Sequence, residues 1–210
     1  MQKNALLLAT KNPAKQAKLR WLLEHVQVAI QTPQSLGASV DVVEDGKTHQ
    51  DNAVLKAVAW SKEVACLTMA TDGGLLVPSL AESWDSTRTH RFAGDDADDA
   101  TRASKLLELM DDLTGMDRRV AWTEAVALAY KGMALGCWQS AGADGFILTE
   151  FEPGTIQPDF WISALLYFPY LGKTYAETTD YERTKIRDPW VKLKSIVPSA
   201  MQEYLKVVRD

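Results

Sequence analysis

Residues 5–15 read ALLLATKNPAK, and the organisation of the whole chain follows from them. The apolar run at their start is typical of a short buried strand. Asn12 is a favoured helix N-cap and Pro13 suits the first helical position, so a helix is predicted to follow at once. A strand that leads straight into a helix directs backbone N–H groups and the positive end of the helix dipole at one point. With the ammonium groups of Lys11 and Lys15, this predicts an anion site, and phosphate is the expected anion.

The same residues have a second interpretation that needs no ligand. Asn12 and Pro13 would then only cap a surface helix, and both lysines would be solvated. Capping signals are common and short motifs give many false matches, so both interpretations fit the residues alone.

The composition is that of a globular protein. The chain has 210 residues, 46% hydrophobic and 24% charged, which allows a sizeable core in one domain over residues 1–210. A net charge of −5 argues against nucleic acid as a partner. Cys66 and Cys137 lie far apart, so neither a disulfide framework nor a thiolate zinc site is indicated. There is no signal-peptide pattern and no apolar run of membrane-spanning length, so we expect a cytoplasmic protein without a membrane partner.

A second helix is predicted after a loop that contains Glu44. Thr48 and Asp51 have the spacing of a capping box at its start. Asn52 and Lys56 are four residues apart, so they share one face of this helix.

The apolar residues 66–70 predict another buried strand. Asp72 follows it beside Gly73 and Gly74, so we expect a turn at the strand's end, where open α/β sheets usually place their chemistry. Without a ligand role, Asp72 would only hold this Gly-Gly turn.

The second half of the chain predicts an antiparallel meander and closing helices. Alternation indicates strands at residues 119–130, 133–140 and 145–148. Glu124 falls on the bulky face of its strand, where a salt-bridged or solvent-edge position is expected before a ligand role. Helices are predicted at residues 180–186 and 189–208, with a kink or a restart at Pro198.

Six short motifs occur in a fixed order along nearly the whole chain. They are Thr10, Asn12 and Lys15 in TKNPAK, Glu44 with Gly46, DNAVLKA at residues 51–57, TDGGL at residues 71–75, RFAG at residues 91–94 and GKTYAE at residues 172–177. This ordered set resembles the Ham1/inosine triphosphate pyrophosphatase family, whose members convert non-standard purine nucleoside triphosphates to monophosphate and pyrophosphate.

The resemblance implies a fold, a substrate class and a quaternary structure. The fold would be α/β, a long mixed β-sheet flanked by helices, with two lobes around a central cleft. The substrate would be a nucleoside triphosphate, Mg²⁺ the cofactor, and homodimers are usual in the family.

The resemblance also implies roles for individual residues. The triphosphate would be held by Thr10, Lys11, Asn12, Lys15 and Lys56. Glu44 and Asp72 would be the Mg²⁺ ligands, and Asp72 would also activate water. Lys15, Lys56 and Asp72 are therefore the implied catalytic residues. Further substrate contacts are implied at Gly73, Phe160, Trp161, Ser163 and Arg183. Without a ligand, Asp51 would only cap its helix and Lys56 would pair with a neighbouring acid.

The chain departs from the family pattern at several of these positions. Thr71 replaces an acid, Gly73 a serine, and Ser163 the carboxylate of a Phe-Gly-Tyr-Asp element. Arg183 replaces a lysine, which keeps the charge but not its geometry. Arg187-Asp188-Pro189 stands where the family has the Ser-His-Arg that reads the purine's six-oxo group.

Because hydrogen-bonding groups of a base pocket set its selectivity, we expect altered base choice with the triphosphate end retained. Two alternatives stay open. One is a catalytically weak nucleotide-binding or sensing protein on the same fold, and the other is hydrolysis of a different phosphoanhydride.

Overall fold

The computed structural model describes residues 5–207 as an α/β fold with one mixed sheet. Its seven strands are β1 Ala5–Leu8, β2 Ala29–Gln31, β3 Leu67–Leu76, β4 Arg119–Tyr130, β5 Met133–Ile147, β6 Leu166–Phe168 and β7 Lys173–Thr174. The helices are α1 Pro13–Leu22, α2 Pro33–Leu36, α3 His49–Val64, α4 Asp99–Leu109, α5 Asp180–Lys185, α6 Pro189–Lys194 and α7 Val197–Val207. The strand order is β2-β1-β3-β4-β5-β6-β7. β1 pairs in parallel with β2 and β3, whereas β6 is antiparallel to β5 and β7. The predicted α/β class with a mixed sheet is confirmed.

The chain forms two compact units. Unit 1 takes its described residues from 5–73, 124–140 and 190–207, and unit 2 from 74–123 and 141–189. Strands β3, β4 and β5 each contribute residues to both units. The single domain over residues 1–210 stays a prediction.

The core of unit 1 is built around β1. Leu6 and Leu8 pack with the buried face of α1, whereas Leu7 packs with Ala53 and Ala57 of α3. Successive residues of a strand point to opposite faces, so one short strand organises two helices. Each fully buried leucine contributes about 2 kcal/mol through removal of apolar surface from water. The predicted strand and both helices are confirmed.

Unit 2 has its own core and an unusual buried arginine. Arg118 is 6% exposed and donates hydrogen bonds to four backbone carbonyl groups. These carbonyls belong to Met110, Leu113, Ile147 and Leu148. One guanidinium therefore ties the segment after α4 to the end of β5.

Replacing this arginine should destabilise the protein. Arg118→Met is expected to lower the free energy of unfolding by about 3 kcal/mol, because buried carbonyl groups lose their donors. Urea unfolding measures the change. Arg119→Met is the matched control, since the neighbouring side chain is 53% exposed, and its effect should stay within about 0.5 kcal/mol. Equal effects of the two substitutions would contradict the assigned role of Arg118.

Several predicted boundaries were wrong. The strand that begins at Leu67 does not end before Asp72 but continues through both glycines to Leu76. Pairing within the sheet therefore overrides the turn preference of the Asp-Gly-Gly sequence. The two strands predicted at residues 133–140 and 145–148 are the single strand β5. Pro198 lies in the first turn of α7, so the predicted restart is confirmed.

Candidate active site

The loop between β1 and α1 is fixed by local hydrogen bonds. The Asn12 Oδ1 atom accepts from the Lys15 N–H at 2.8 Å, which makes Asn12 the N-cap of α1 as predicted. The Thr10 hydroxyl accepts from the Asn12 N–H at 3.2 Å. The exposed Lys11 side chain donates to the Ser39 hydroxyl at 3.1 Å. Thr10, Asn12 and Lys15 are thus held together in one short turn, whereas the side chain of Lys11, the fourth residue predicted to bind phosphate here, contacts Ser39.

Lys56 joins two of the predicted acidic residues. Its Nζ atom lies 2.6 Å from Asp72 Oδ1 and 3.2 Å from Glu44 Oε2. The side chains of Lys56 and Asp72 are only 14% and 8% exposed, so the pair is largely removed from water. The expectation that Lys56 pairs with a neighbouring acid is confirmed, and this pairing is what brings it beside Asp72.

The loop that carries Glu44 is attached to the start of α3. The Gly46 N–H donates to Asn52 Oδ1 at 2.9 Å. A Cβ atom at Gly46 would lie 2.6 Å from the Asp51 Cβ, so only glycine allows this close approach. The predicted capping box of Thr48 and Asp51 is present. Together these contacts set the position of Glu44 relative to the helix that carries Lys56.

His49 is a site residue that the sequence interpretation missed. It is 4% exposed, and its Nδ1 atom lies 2.6 Å from Asp72 Oδ2. Both carboxylate oxygens of Asp72 therefore have a hydrogen-bond partner. A signal was present, since His49 lies three residues before Asn52 and seven before Lys56 and so shares their helical face.

The environment of Asp72 changes its acidity. Burial raises the pKa of this carboxyl, but the hydrogen bond from His49 and the charges of Lys56 and Lys15 outweigh burial and lower the pKa to about 2. Asp72 is therefore an anion at every pH near neutrality. A carboxylate with so low a pKa is a good partner for cations and a weak proton acceptor.

This lowered pKa predicts a pH dependence of stability. The folded-state pKa of about 2 lies below the ordinary value of 3.8, so the ionised group stabilises the folded protein above about pH 4. That stabilisation, about 2 kcal/mol, is lost as the pH falls from about 4 to about 2. Urea unfolding across this window should show a smaller loss for Asp72→Asn than for the unsubstituted protein. The exposed Asp41→Asn should behave like the unsubstituted protein, and equal losses in all three would contradict the assignment.

Glu124 lies in the same unit and is buried. It is 1% exposed, so the expected solvent-edge position is wrong. Its Oε1 atom accepts from the Thr71 hydroxyl and lies 3.9 Å from Lys15 Nζ. The salt-bridged alternative is therefore the one that the structure supports.

The cluster formed by Lys15, Glu44, Lys56, Asp72 and Glu124 has more carboxylate groups than ammonium groups. A polyphosphate would be repelled by this surplus unless a cation came with it. Carboxylate oxygens are ligands that Mg²⁺ prefers, and Mg²⁺ commonly uses one or two of them together with phosphate oxygens. Within residues 5–207 no three His, Cys, Asp or Glu side chains form a ready-made metal site. The donor set fits a Mg²⁺ ion that arrives with phosphate.

The other predicted substrate contacts belong to unit 2, except the half-buried Gly73 in β3. Phe160 makes edge contacts with Trp122 and Tyr175, with ring centroids 5.1 and 5.0 Å apart. Trp161 is 4% exposed, and the fully buried Ser163 hydroxyl accepts from the Gln157 N–H. The side chains of Trp161 and Ser163 are thus engaged in packing within their own unit.

Arg183, which stands where the family has a phosphate-contacting lysine, and residues 187–188, which stand at the base-reading positions, are also paired within unit 2. The Arg183 guanidinium lies over the Tyr175 ring, 4.9 Å from its centroid. The Tyr175 hydroxyl donates to the buried Asp188 at 2.6 Å. Arg187, with a side chain 78% exposed, pairs with Asp144 at 3.0 Å.

The structure defines a class of α/β protein in which a capped strand–loop–helix turn and a lysine–carboxylate cluster lie in one compact unit. Within that class, the chain belongs to the Ham1 family, whose profile matches residues 6–188.

Relatives and solved structures agree with this assignment. The chain is 32% identical over 181 residues to a dITP/XTP pyrophosphatase of Geobacillus kaustophilus, covering 86% of each chain. It is 31% identical to a dITP/XTP pyrophosphatase of Syntrophobacter fumaroxidans, covering 89% of this chain and 77% of the relative. A HAM1 protein from Coxiella burnetii shares the fold with a TM-score of 0.76 at 24% identity, over 93% of this chain and 99% of that one. A nucleoside-triphosphatase/dITP/XTP pyrophosphatase from Mycobacterium abscessus gives a TM-score of 0.70 at 26% identity, over 92% and 99%.

The helices of the described residues include none with the length and apolar character needed to cross a membrane.

Proposed function

We propose that this chain hydrolyses nucleoside triphosphates to nucleoside monophosphate and pyrophosphate, with Mg²⁺ as cofactor. The observation that carries the proposal is the cluster in unit 1, where Lys56 lies 2.6 Å from Asp72 and Lys15, in the first turn of α1, is near enough for its charge to lower the pKa of Asp72. Two relatives that share about a third of its residues bear the name dITP/XTP pyrophosphatase, which supports the same reaction.

Four residues of the cluster and the loop before α1 have assigned roles in this proposal. The loop at residues 10–12 binds phosphate oxygens at the positive end of the α1 dipole. Lys15 and Lys56 neutralise charge on the triphosphate and on the departing pyrophosphate. Glu44 and Asp72 would hold the Mg²⁺ ion, which when bound offsets negative charge on the phosphate oxygens.

Asp72 also orients the attacking water in this proposal. Its two oxygens are engaged by His49 and Lys56, and its lowered pKa of about 2 makes it a weak base in this arrangement. When Lys56 turns its ammonium group to a phosphate oxygen, the Asp72 oxygen that it engaged becomes free to accept a hydrogen bond from the water that attacks the α-phosphorus.

Altered base choice is the second part of the proposal. In place of the family's Ser-His-Arg, this chain has an exposed arginine at 187 and a buried Asp188 that already accepts from Tyr175. Since few donors are left to read a six-oxo group, discrimination between bases should weaken.

A nucleotide panel tests both parts. Pyrophosphate release is measured with inosine, xanthosine, deoxyuridine and ordinary nucleoside triphosphates, each with Mg²⁺ and with a chelator. We expect Mg²⁺-dependent release with several bases. No pyrophosphate from any of them would contradict the activity, and a strong preference for inosine and xanthosine triphosphates would contradict altered base choice.

One observation favours a second candidate, a nucleotide-binding or sensing protein without turnover. Both oxygens of Asp72 are occupied, and Thr71 provides no second acid. Tight binding of nucleoside triphosphate to highly purified protein without release of pyrophosphate would support this candidate. The homodimer and the cytoplasmic location expected from the sequence belong to the proposal as well, and sedimentation tests the first.

A further inference from the structure

We propose that Glu124 positions Lys15 for the triphosphate, and that it supplies the buried carboxylate that an acidic side chain at position 71 would otherwise provide. This inference rests on the proposed function, because it assumes that Lys15 binds phosphate. Glu124 is a positioning residue, since it acts through Lys15.

The burial of Glu124 is the first argument. At 1% exposure, its carboxylate has given up nearly all contact with water. A carboxylate is retained in such a place only when it has partners. Two of its partners are the Thr71 hydroxyl and Lys15, whose ammonium group is 3.9 Å away. The Lys15 side chain keeps 29% exposure, so a phosphate can reach the ammonium group from outside while Glu124 holds it from inside.

The contact between Thr71 and Glu124 is the second argument. A threonine hydroxyl can donate a hydrogen bond to a carboxylate, whereas an ionised acid at position 71 cannot. Two carboxylates in direct contact at these two positions could not both stay ionised while buried. Therefore only one of the two positions, 71 on β3 or 124 on β4, can carry an ionised carboxylate. In this chain it is position 124.

The flexibility of lysine explains why such an anchor matters. A lysine side chain has a long stem with several rotatable bonds, and ordering it on binding costs affinity. A fixed anion that holds the ammonium group before substrate arrives removes part of that cost. Loss of the anchor should therefore raise KM much more than it lowers kcat.

The first experiment compares Glu124→Gln in two backgrounds. This substitution keeps the shape of the side chain and an acceptor for Thr71 but removes the charge. We expect KM for the nucleoside triphosphate, and Kd for inorganic tripolyphosphate at saturating Mg²⁺, to rise about 10-fold, with kcat within about 3-fold. In a Lys15→Met background the same change should have no effect.

Two outcomes of this experiment would overturn the inference. A fall in KM and Kd would mean that Glu124 only repels phosphate. Equal effects with and without Lys15 would mean that Glu124 serves folding alone. Glu63→Gln, an exposed glutamate of α3, is the matched control and should leave all three constants unchanged.

The second experiment moves the carboxylate from position 124 on β4 to position 71 on β3. Thr71→Asp alone puts two carboxylates together and should lower Tm by about 10 °C. The double variant Thr71→Asp/Glu124→Ala should regain KM and Kd to within about 3-fold of the unsubstituted protein. A double variant with constants no better than those of Glu124→Ala would contradict the exchange of positions.

The two readouts separate this inference from the proposed function. If nucleoside triphosphates are not hydrolysed but the coupling of Glu124 to Lys15 persists in tripolyphosphate binding, the proposed function fails and the positioning role stands. If turnover is normal and the coupling is absent, the positioning role fails alone.

Discussion

Asp72→Asn is expected to lower kcat/KM for nucleoside triphosphate hydrolysis by about 10³-fold. Lys56 and His49 each lie 2.6 Å from one oxygen of this carboxylate. An amide keeps the shape of the side chain but loses the negative charge that a cation needs and the ability to accept a proton from water. Steady-state pyrophosphate release at saturating Mg²⁺ measures the loss.

The control for this prediction is Asp41→Asn, an exposed aspartate of the same unit, which should retain full activity. Circular dichroism of the Asp72 variant at neutral pH would verify that the fold is intact. Activity within about 3-fold of the unsubstituted protein would remove Asp72 from the proposed mechanism.

Lys56→Met is expected to lower kcat/KM by about 10²-fold or more. Its ammonium group contacts both Glu44 and Asp72, so its loss removes a phosphate-binding cation and the ion-pair partner that the two carboxylates share. The substitution should also raise the pKa of Asp72 toward its ordinary value, because one of the charges that lower it is gone.

Lys56→Arg should not restore activity, because the planar guanidinium does not fit a site that holds a compact ammonium group 2.6 Å from one carboxylate. The comparison variant is Lys62→Met, an exposed lysine on the same helix, which should leave kcat/KM unchanged. Normal kcat/KM in Lys56→Met would show that the cluster is structural.

The starts of α1 and α3, the two helices that carry site residues, could be predicted from neighbouring residues in the sequence. Asn12 caps α1 through its own side chain, and Thr48 and Asp51 cap α3, so both helices begin where the sequence indicates. Helical spacing also places Asn52 and Lys56 on one face, but it is the resemblance to the Ham1 family that makes Lys56 a candidate site residue.

Contacts between distant residues could not be predicted in the same way. His49 meets Asp72 across 23 residues, and Thr71 meets Glu124 across 53. Such pairs depend on which strands become neighbours, and a single sequence shows only which faces are apolar. The turn that the sequence predicts at Asp72 is wrong for a related reason: two following glycines indicate a turn locally, whereas sheet pairing keeps them extended.

Hydrolysis in ¹⁸O-labelled water tests the central claim most directly, because it identifies the phosphorus atom that water attacks. With the protein in excess over a nucleoside triphosphate and Mg²⁺ present, we predict one label in the nucleoside monophosphate, unlabelled pyrophosphate and no orthophosphate. Label in pyrophosphate, or release of orthophosphate, would show that this cluster does not direct water to the α-phosphorus.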